Sequence, residues 1–365
     1  MNVNEVIANR ALEILGRSLG DYEFLSPNDH VNLAQSSNDT FPTASHIAII
    51  RDAQHLDNVL GDLAAALQKK GDAFILLPKS GRTHLMDAIP VMLGDEFYAY
   101  SSAVVRAAKR IRERRAGLLE VAIGSTATGN GANAPPAYRE TVLRNLRSLT
   151  ALDLIPARNS FEALQSLSLM GAFSSSLKEF SLELIRITND LRLMSSGPVS
   201  GLDEISLPPV QPGSSIMPGK VNPVMAECAD MIAFQIIGND TAVSLAVQAG
   251  QFELNVMAPL IVHNILESIT LLTRYLPVFT VQCIDGIAAH EERLVMNVGT
   301  NPVLATLLTP KIGYQEAAEI ARESTVKQKT IRDIAVEKGI LTKEEADAMF
   351  DLRSIAGNRY RPGGK

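Results

Sequence analysis

Apolar residues recur every three or four positions along most of this chain, in long blocks at about 45–70, 91–120, 159–195, 224–248 and 251–284, with a weaker one at 139–149. In the third block Leu164, Leu167, Phe173, Leu177, Phe180, Leu184, Ile187 and Leu191 trace a single stripe. Asn159 and Glu162 have the spacing of a capping box at its start, and Gly197-Pro198 closes it. Strand-type alternation is scarce, so the pattern predicts an all-α chain. Each major block is about twice the ordinary helix length of about 11 or 12 residues, which points to a long central helical bundle. Apolar stripes this wide on long helices need neighbours from other subunits. The pattern therefore predicts a homo-oligomer whose core bundle is shared between chains.

Near residue 285 the texture changes, and Gly286-Ile287-Ala288-Ala289-His290-Glu291 opens a shorter, more charged helix. We expect residues 1–285 to form the central bundle domain and 286–365 a small C-terminal helical domain. Within the latter, the pattern predicts a helix over about 314–338. Thr342 with Glu345 has the spacing of a capped last helix, and the basic tail Arg359 to Lys365 reads as frayed.

Composition narrows the class. With 365 residues, 46% hydrophobic and 20% charged, the chain can bury a large core. A net charge of −6 with interspersed basic residues leaves no stripe for a nucleic-acid backbone. No apolar run reaches the roughly 18 to 20 residues of a membrane span, and the polar start Met1-Asn2-Val3-Asn4-Glu5 is unlike a signal peptide, so the expected location is cytoplasmic. Cys228 and Cys283 lie far apart, which excludes a disulfide scaffold and suggests two buried thiols.

Four polar clusters interrupt the helical blocks. Gln35-Ser36-Ser37-Asn38-Asp39-Thr40 precedes a helix expected from about Thr43, and suits either a plain N-cap or a carboxylate-binding helix start. Lys79-Ser80-Gly81-Arg82-Thr83-His84-Leu85-Met86-Asp87 places two cations, hydroxyls and an imidazole between an expected loop and the next helix. A lone histidine is commonly structural, but Arg82 and Thr83 beside it favour a site. Gly124 to Asn133 is rich in glycine and hydroxyls, fitting a linker or a close backbone approach to a small ligand.

The fourth cluster, Gly213-Ser214-Ser215-Ile216-Met217-Pro218-Gly219-Lys220-Val221-Asn222-Pro223, presents two hydroxyls, a cation and an amide from backbone that its glycines and prolines keep irregular. It differs from a phosphate-binding loop: five residues separate Gly213 from Gly219, and Val221 follows Lys220 where a hydroxyl is required. His30, His46, His55, His84, His263 and His290 show no metal-ligand spacing, and no Gly-x-Ser-x-Gly elbow marks a hydrolase. Neutral hydroxyl and amide clusters with a few cations suit recognition of a small dicarboxylate. Removing a proton next to a carboxylate then requires a base and stabilisation of the resulting dianion, which Lys220, Asn222 and loop amides can supply.

Gly213 to Pro223 resembles the signature loop of the aspartase/fumarase superfamily of lyases. Ser36-Ser37-Asn38-Asp39, Gly81-Arg82-Thr83-His84, Gly124-Ser125-Thr126 and Phe252-Glu253-Leu254-Asn255-Val256 resemble family motifs in family order, so the similarity spans essentially the whole chain. The resemblance implies a homotetramer around a twenty-helix bundle, active sites drawn from three subunits, and no cofactor or metal. It implies that Ser214 is the base that removes the C3 proton, and that Lys220 and Asn222 hold the carboxylate that becomes the aci-acid. Ser36, Ser37, Asn38, Ser215 and Met217 would contact substrate, and Thr83 with His84 would position its other end. Glu227 would pair with His84 of the partner subunit.

Two departures from the family pattern stand out. The chain starts where relatives are expected to have roughly a hundred further residues carrying a substrate-contacting turn, so an incomplete site and an idle scaffold are alternative expectations. Ser26 stands where fumarases usually carry a histidine of a secondary dicarboxylate site. Ser36-Ser37, Phe41 and Val262-His263-Asn264 lean towards water as leaving group. Pro223-Val224-Met225, Asn255-Val256-Met257, Arg359-Tyr360 and Ser26 lean towards ammonia, and the balance implies aspartate rather than malate.

Overall fold

A computed structural model describes residues 1–357 of the chain; the tail from Arg359, with Arg359-Tyr360, lies outside the described residues. Helices α1 (Asn2–Ile14), α2 (Ser37–Ala73), α3 (Leu93–Gly117), α4 (Tyr138–Thr150), α5 (Glu162–Gln165), α6 (Ser168–Met194), α7 (Val224–Val247) and α8 (Ala258–Phe279) carry the first three quarters. The shorter α9 (Glu291–Gly299), α10 (Thr309–Ile312), α11 (Tyr314–Lys327), α12 (Ile331–Glu337), α13 (Lys343–Met349) and α14 (Leu352–Ala356) follow. Strands are few and short: β1 (Pro78–Thr83) with β2 (Met86–Met92), β3 (Glu120–Val121) with β4 (Ile155–Pro156), and β5 (Ile205–Ser206) with β6 (Ala288–Ala289). The fold is all-α, and none of the described helices is long and apolar enough to cross a membrane.

The chain divides into two compact units. The first comprises Met1–Asn58, Ala107–Leu182 and Ile232–Thr273; the second comprises Val59–Arg106, Glu183–Met231 and the described part of Arg274–Lys365. In the first, Ile49, Ala53 and Leu56 of α2, Ile111 of α3, Phe173, Leu177 and Phe180 of α6, Ile236 and Val243 of α7, and Ile265 and Ile269 of α8 are buried. The acids and amides that α6, α7 and α8 bury here have partners, as burial of polar groups favours. Ser174 and Lys178 both donate to Asp240, and Asn239 donates to Glu267 at 2.9 Å.

In the second unit, Phe74, Phe97 and Tyr100 pack edge to face, with ring centroids 5.3 and 5.6 Å apart. Leu304, Leu308, Ile320, Ile331, Ile334, Leu341 and Phe350 form a further cluster among the short helices. The predicted capping box holds: the Glu345 amide donates to Thr342 Oγ1 at 3.1 Å and the Thr342 amide donates back to Glu345 at 2.8 Å. Cys283 is buried, and burial pushes its thiol up to about 12, whereas Cys228 is only half-buried.

Three long stripes prove to be interrupted. The 159–195 block breaks at Ser166, which is extended, although Asn159 does accept the Phe161 and Glu162 amides at 3.0 and 3.2 Å. The break frees the Leu164 carbonyl to accept the Asn255 amide at 3.0 Å. The 251–284 block begins as a helix only at Ala258, because buried Asn255 donates to the carbonyls of Ala246 and Val247 at 3.0 and 3.1 Å and ties this turn to the end of α7. The 314–338 block splits at Gln328, which adopts a left-handed conformation, and Thr330 caps α12. Each break keeps the apolar spacing while inserting a polar residue, whose side chain bonds nearby backbone at Ser166 and Gln328 and the end of α7 at Asn255.

Residues 78–92 form a β-hairpin where a loop was expected. Its turn residues His84 and Leu85 have φ of 56° and 60°, a two-residue turn without the glycine or asparagine that usually announces one. Lys79, on β1, is 3% exposed and lies 2.9 Å from Glu96 and 3.2 Å from the fully buried Glu204. Arg82 completes the cluster with a bidentate contact to Glu204 at 2.6 and 3.0 Å. Burial holds the Glu96 carboxyl above its ordinary range, with Lys79 opposing the rise. Replacing Glu204 with Gln leaves buried Lys79 and half-buried Arg82 short of an anion. The expected cost is about 3 kcal/mol of unfolding free energy in a urea titration, and a loss below about 1 kcal/mol would contradict this.

Candidate functional site

Within the first unit, two of the polar clusters come together on one carboxylate. Asp39 is completely buried; its Oδ1 accepts the Ser36 amide at 3.2 Å and its Oδ2 accepts the Gly124 and Thr126 amides at 3.0 and 2.9 Å. Desolvation raises its pKa above the ordinary aspartate value, and these amide donors oppose the rise. Asn38 Nδ2 adds a bond to the Ala127 carbonyl at 2.8 Å. Gly124, at φ 87°, has no room for a side chain, since a Cβ would fall 2.7 Å from the Arg139 side chain. The glycine-rich third cluster is thus a fixed turn against the start of α2, not a linker.

The helix start also differs from expectation. It lies at Ser37, ahead of Pro42, and Ser36 Oγ accepts the Asn38 amide at 3.1 Å. Ser37 is exposed while Ser36 and Asn38 are half-buried, so the plain capping role and an accessible polar surface coexist here. Ser26 has a purely local bond set: its Oγ accepts the Asn28 and Asp29 amides at 3.2 and 3.0 Å.

Within the second unit, Thr83 and His84 stand exposed at the tip of the β1–β2 hairpin. Asn301 holds the base of this hairpin by donating to Ser80 Oγ at 3.2 Å and to the Ala88 carbonyl at 2.9 Å. Glu227 occupies the first turn of α7, half-buried, where a negative charge suits the helix dipole. Among the described residues, no side-chain hydrogen bond links Thr83, His84 or Glu227 to one another or to the signature loop.

The loop closes on itself. The Ser214 amide donates to the Lys220 carbonyl at 2.9 Å, and the Lys220 amide donates to the Met217 carbonyl at 3.1 Å. Gly213 makes the closure possible: at φ 91° it is left-handed, and a Cβ there would lie 2.6 Å from the Lys220 oxygen. Ser214 Oγ, half-buried, accepts the amides of Ile216 and Met217 at 3.3 and 3.1 Å. Lys220 Nζ is exposed and donates to Asn222 Oδ1 at 2.7 Å, while Ser215 and Met217 face solvent. Lys220 and Asn222 line an open cavity of about 440 Å³, together with Ser195, Asp203, Ser206 and His290.

This arrangement can stabilise negative charge twice. Two amides aimed at the Ser214 oxygen favour its ionised form, and a cation with a side-chain amide faces a cavity within the roughly 300 to 1,000 Å³ range of small-molecule sites. No group of three or more metal-ligating side chains occurs among the described residues. Sequence reasoning missed Glu204, whose contacts lie more than a hundred residues away in the chain, and it gave Asp39 no separate role.

Comparison with known proteins places these features in a family. A model for lyases matches residues 1–238, and one for the fumarase C C-terminus matches residues 304–357. The chain belongs to the aspartase/fumarase superfamily of lyases. It is 47% identical over 351 residues to the aspartate ammonia-lyase of Bacillus subtilis, covering 96% of this chain and 74% of that one. It is 44% identical over 360 residues to a class II fumarate hydratase of Thermosynechococcus vestitus, covering 98% and 77%. A crystal structure of a fumarate lyase:delta crystallin from Brucella melitensis superposes with a TM-score of 0.95 at 44% identity, covering 98% of this chain and 78% of that one.

Asp39→Asn gives a direct test of the first-unit junction in this lyase. It turns one of two acceptor oxygens into a donor facing a backbone amide, so unfolding free energy should fall by about 1 to 3 kcal/mol, with faster hydrogen exchange at Gly124 and Thr126. An unchanged melting temperature and unchanged exchange would show that these bonds do not hold the turn.

Proposed function

We propose that this lyase forms fumarate from L-aspartate by β-elimination of ammonia. The observation that carries the reading is the Ser214 hydroxyl, whose oxygen already collects two backbone amides beside an accessible lysine. Ionised, that oxygen takes the C3 proton. The electron pair moves into the adjacent carboxylate, and Lys220 with Asn222 stabilises the resulting dianion. The C2–N bond then breaks, the electron pair leaves with nitrogen, and the double bond of fumarate remains. Ser36, Ser37 and Asn38 contact the substrate in this reading, with Ser215 and Met217 on the loop and Thr83 and His84 at the far carboxylate.

Relatives named for aspartate and for fumarate hydration occur at similar identity, so the second reading is dehydration of L-malate by the same residues. The ultraviolet absorbance of fumarate separates them. Formation from aspartate supports the first reading, from malate the second, and from neither the idle scaffold. Under either active reading, Ser214→Ala should lose more than about a hundredfold in kcat while the oligomer persists. Lys220→Met should lose a similar factor in kcat, because its charge matters most in the transition state; a raised KM with unchanged kcat would make it a ground-state tether.

The reading includes a homotetramer whose sites combine several subunits, with Glu227 meeting His84 of the partner subunit. Its support is an unpartnered stripe on α7: Met231, Phe234, Gly238, Thr241 and Leu245 are exposed at alternating spacings of three and four. That is the seam through which helices pack on other helices, with Met231 and Leu245 60% or more exposed and Phe234 57%. Phe234→Glu should reduce the mass in sedimentation analysis to that of dimer or monomer. A tetramer of unchanged stability would place the subunit contact elsewhere.

A further inference from the structure

The tip of the β1–β2 hairpin is unfavourable for a single chain in two ways. Pairing of Thr83 with Met86 leaves His84 and Leu85 as a two-residue turn, and both are left-handed, at φ 56° and 60°. Asn-Gly is the usual occupant of such a turn, because a large side chain in this conformation is strained. The turn also holds apolar surface out to water: Leu85 is 75% exposed and Met86 70%. His84 accounts for one strained position, since the proposed function uses its imidazole. Leu85 has no part in that chemistry, although glycine there would relieve the strain and remove exposed apolar surface together.

The base of the hairpin is rigid. Lys79 and Arg82 meet Glu204 at 3.2 and 2.6 Å, and Asn301 donates to both Ser80 Oγ and the Ala88 carbonyl. Gly81 passes so close to β2 that a Cβ there would fall 2.5 Å from the Ile89 oxygen. The tip is therefore presented in a set direction. Leu85 also goes where His84 goes, because adjacent Cα atoms are only about 3.8 Å apart.

We propose that Leu85 is a positioning residue: its side chain packs on the partner subunit and sets the hairpin tip so that His84 reaches the substrate and Glu227 of the partner subunit. The inference rests on the reading that Thr83 and His84 serve a site completed by another subunit, and adds the contact that seats them there. The surface Leu85 meets belongs to a second copy of this chain, since a tip that delivers His84 into a shared site carries its neighbour into the same interface. Burial of the leucine on assembly offsets the strain of the turn.

Three replacements in the full chain separate this role from turn chemistry. Leu85→Gly and Leu85→Asn suit a left-handed turn but remove the apolar side chain, whereas Leu85→Met keeps an apolar side chain of similar reach. Sedimentation equilibrium should show the oligomer dissociating about tenfold more readily in the Gly and Asn variants. Their KM for fumarate formation should rise about tenfold with kcat within about threefold of wild type, because His84 holds the far carboxylate and not the reacting bond. Leu85→Met should stay within about threefold of wild type in both readouts. Hydrogen exchange at the base of β1 and β2 should be unchanged throughout, which excludes a collapsed hairpin. Wild-type assembly and KM in Leu85→Gly and Leu85→Asn would overturn the proposal and leave Leu85 a tolerated turn residue. Loss of protection at the hairpin base in step with the raised KM would overturn it in favour of a structural role. His84→Asn with a wild-type KM would instead overturn the reading beneath it. The assembly measurement needs no turnover, so it decides the contact even in a protein that forms fumarate from neither substrate.

Discussion

A hydroxyl can serve as a base only where its oxyanion is held by donors, and at Ser214 that condition follows from one backbone bond. The Ser214 amide donates to the Lys220 carbonyl and curls the loop until the amides of Ile216 and Met217 point at the Ser214 oxygen. Gly213 permits the curl, for a side chain at that left-handed position would strike the same carbonyl. One closure therefore brings the proposed base, the two amides aimed at it and Lys220 onto a single turn. Without it the serine is an ordinary alcohol whose proton is far too firmly held for C–H chemistry.

The remaining architecture keeps such loops in place. Long helices provide rigid supports, and three of the four polar segments are secured by a buried carboxylate. Asp39 clasps the turn at Gly124 to Thr126, and Glu204 clasps the base of the hairpin that bears Thr83 and His84. Both anions are fully buried and matched by several donors, the condition under which burial of charge is tolerated. Exposed, adaptable side chains then project from segments whose backbone has little freedom.

Much of this was legible in the residue pattern. Helices α3, α4 and α7 fall within a few residues of their predicted spans, because apolar spacing and helix stops agree there. The pattern failed where a polar residue interrupts a stripe without disturbing its period, as at Ser166, Asn255 and Gln328. It also failed at the β1–β2 hairpin, whose turn is His84-Leu85 and whose strand buries Lys79 and Ser80 in place of alternating apolar residues. The signature loop was readable because its chemistry lies within eleven consecutive residues. The anchors Glu204 and Asn301 were not, since their partners are distant in the chain and only folding brings them together.

The account rests on Ser214 moving the proton at C3, and solvent deuterium delivered to C3 in the reverse reaction marks that transfer. Incubating the protein with fumarate and ammonium in deuterium oxide and following the C3 protons of aspartate by NMR should show one deuterium entering C3. Ser214→Ala should show no exchange above background. Exchange by the variant within about tenfold of the wild type would contradict the assignment, because another group would then be taking the proton.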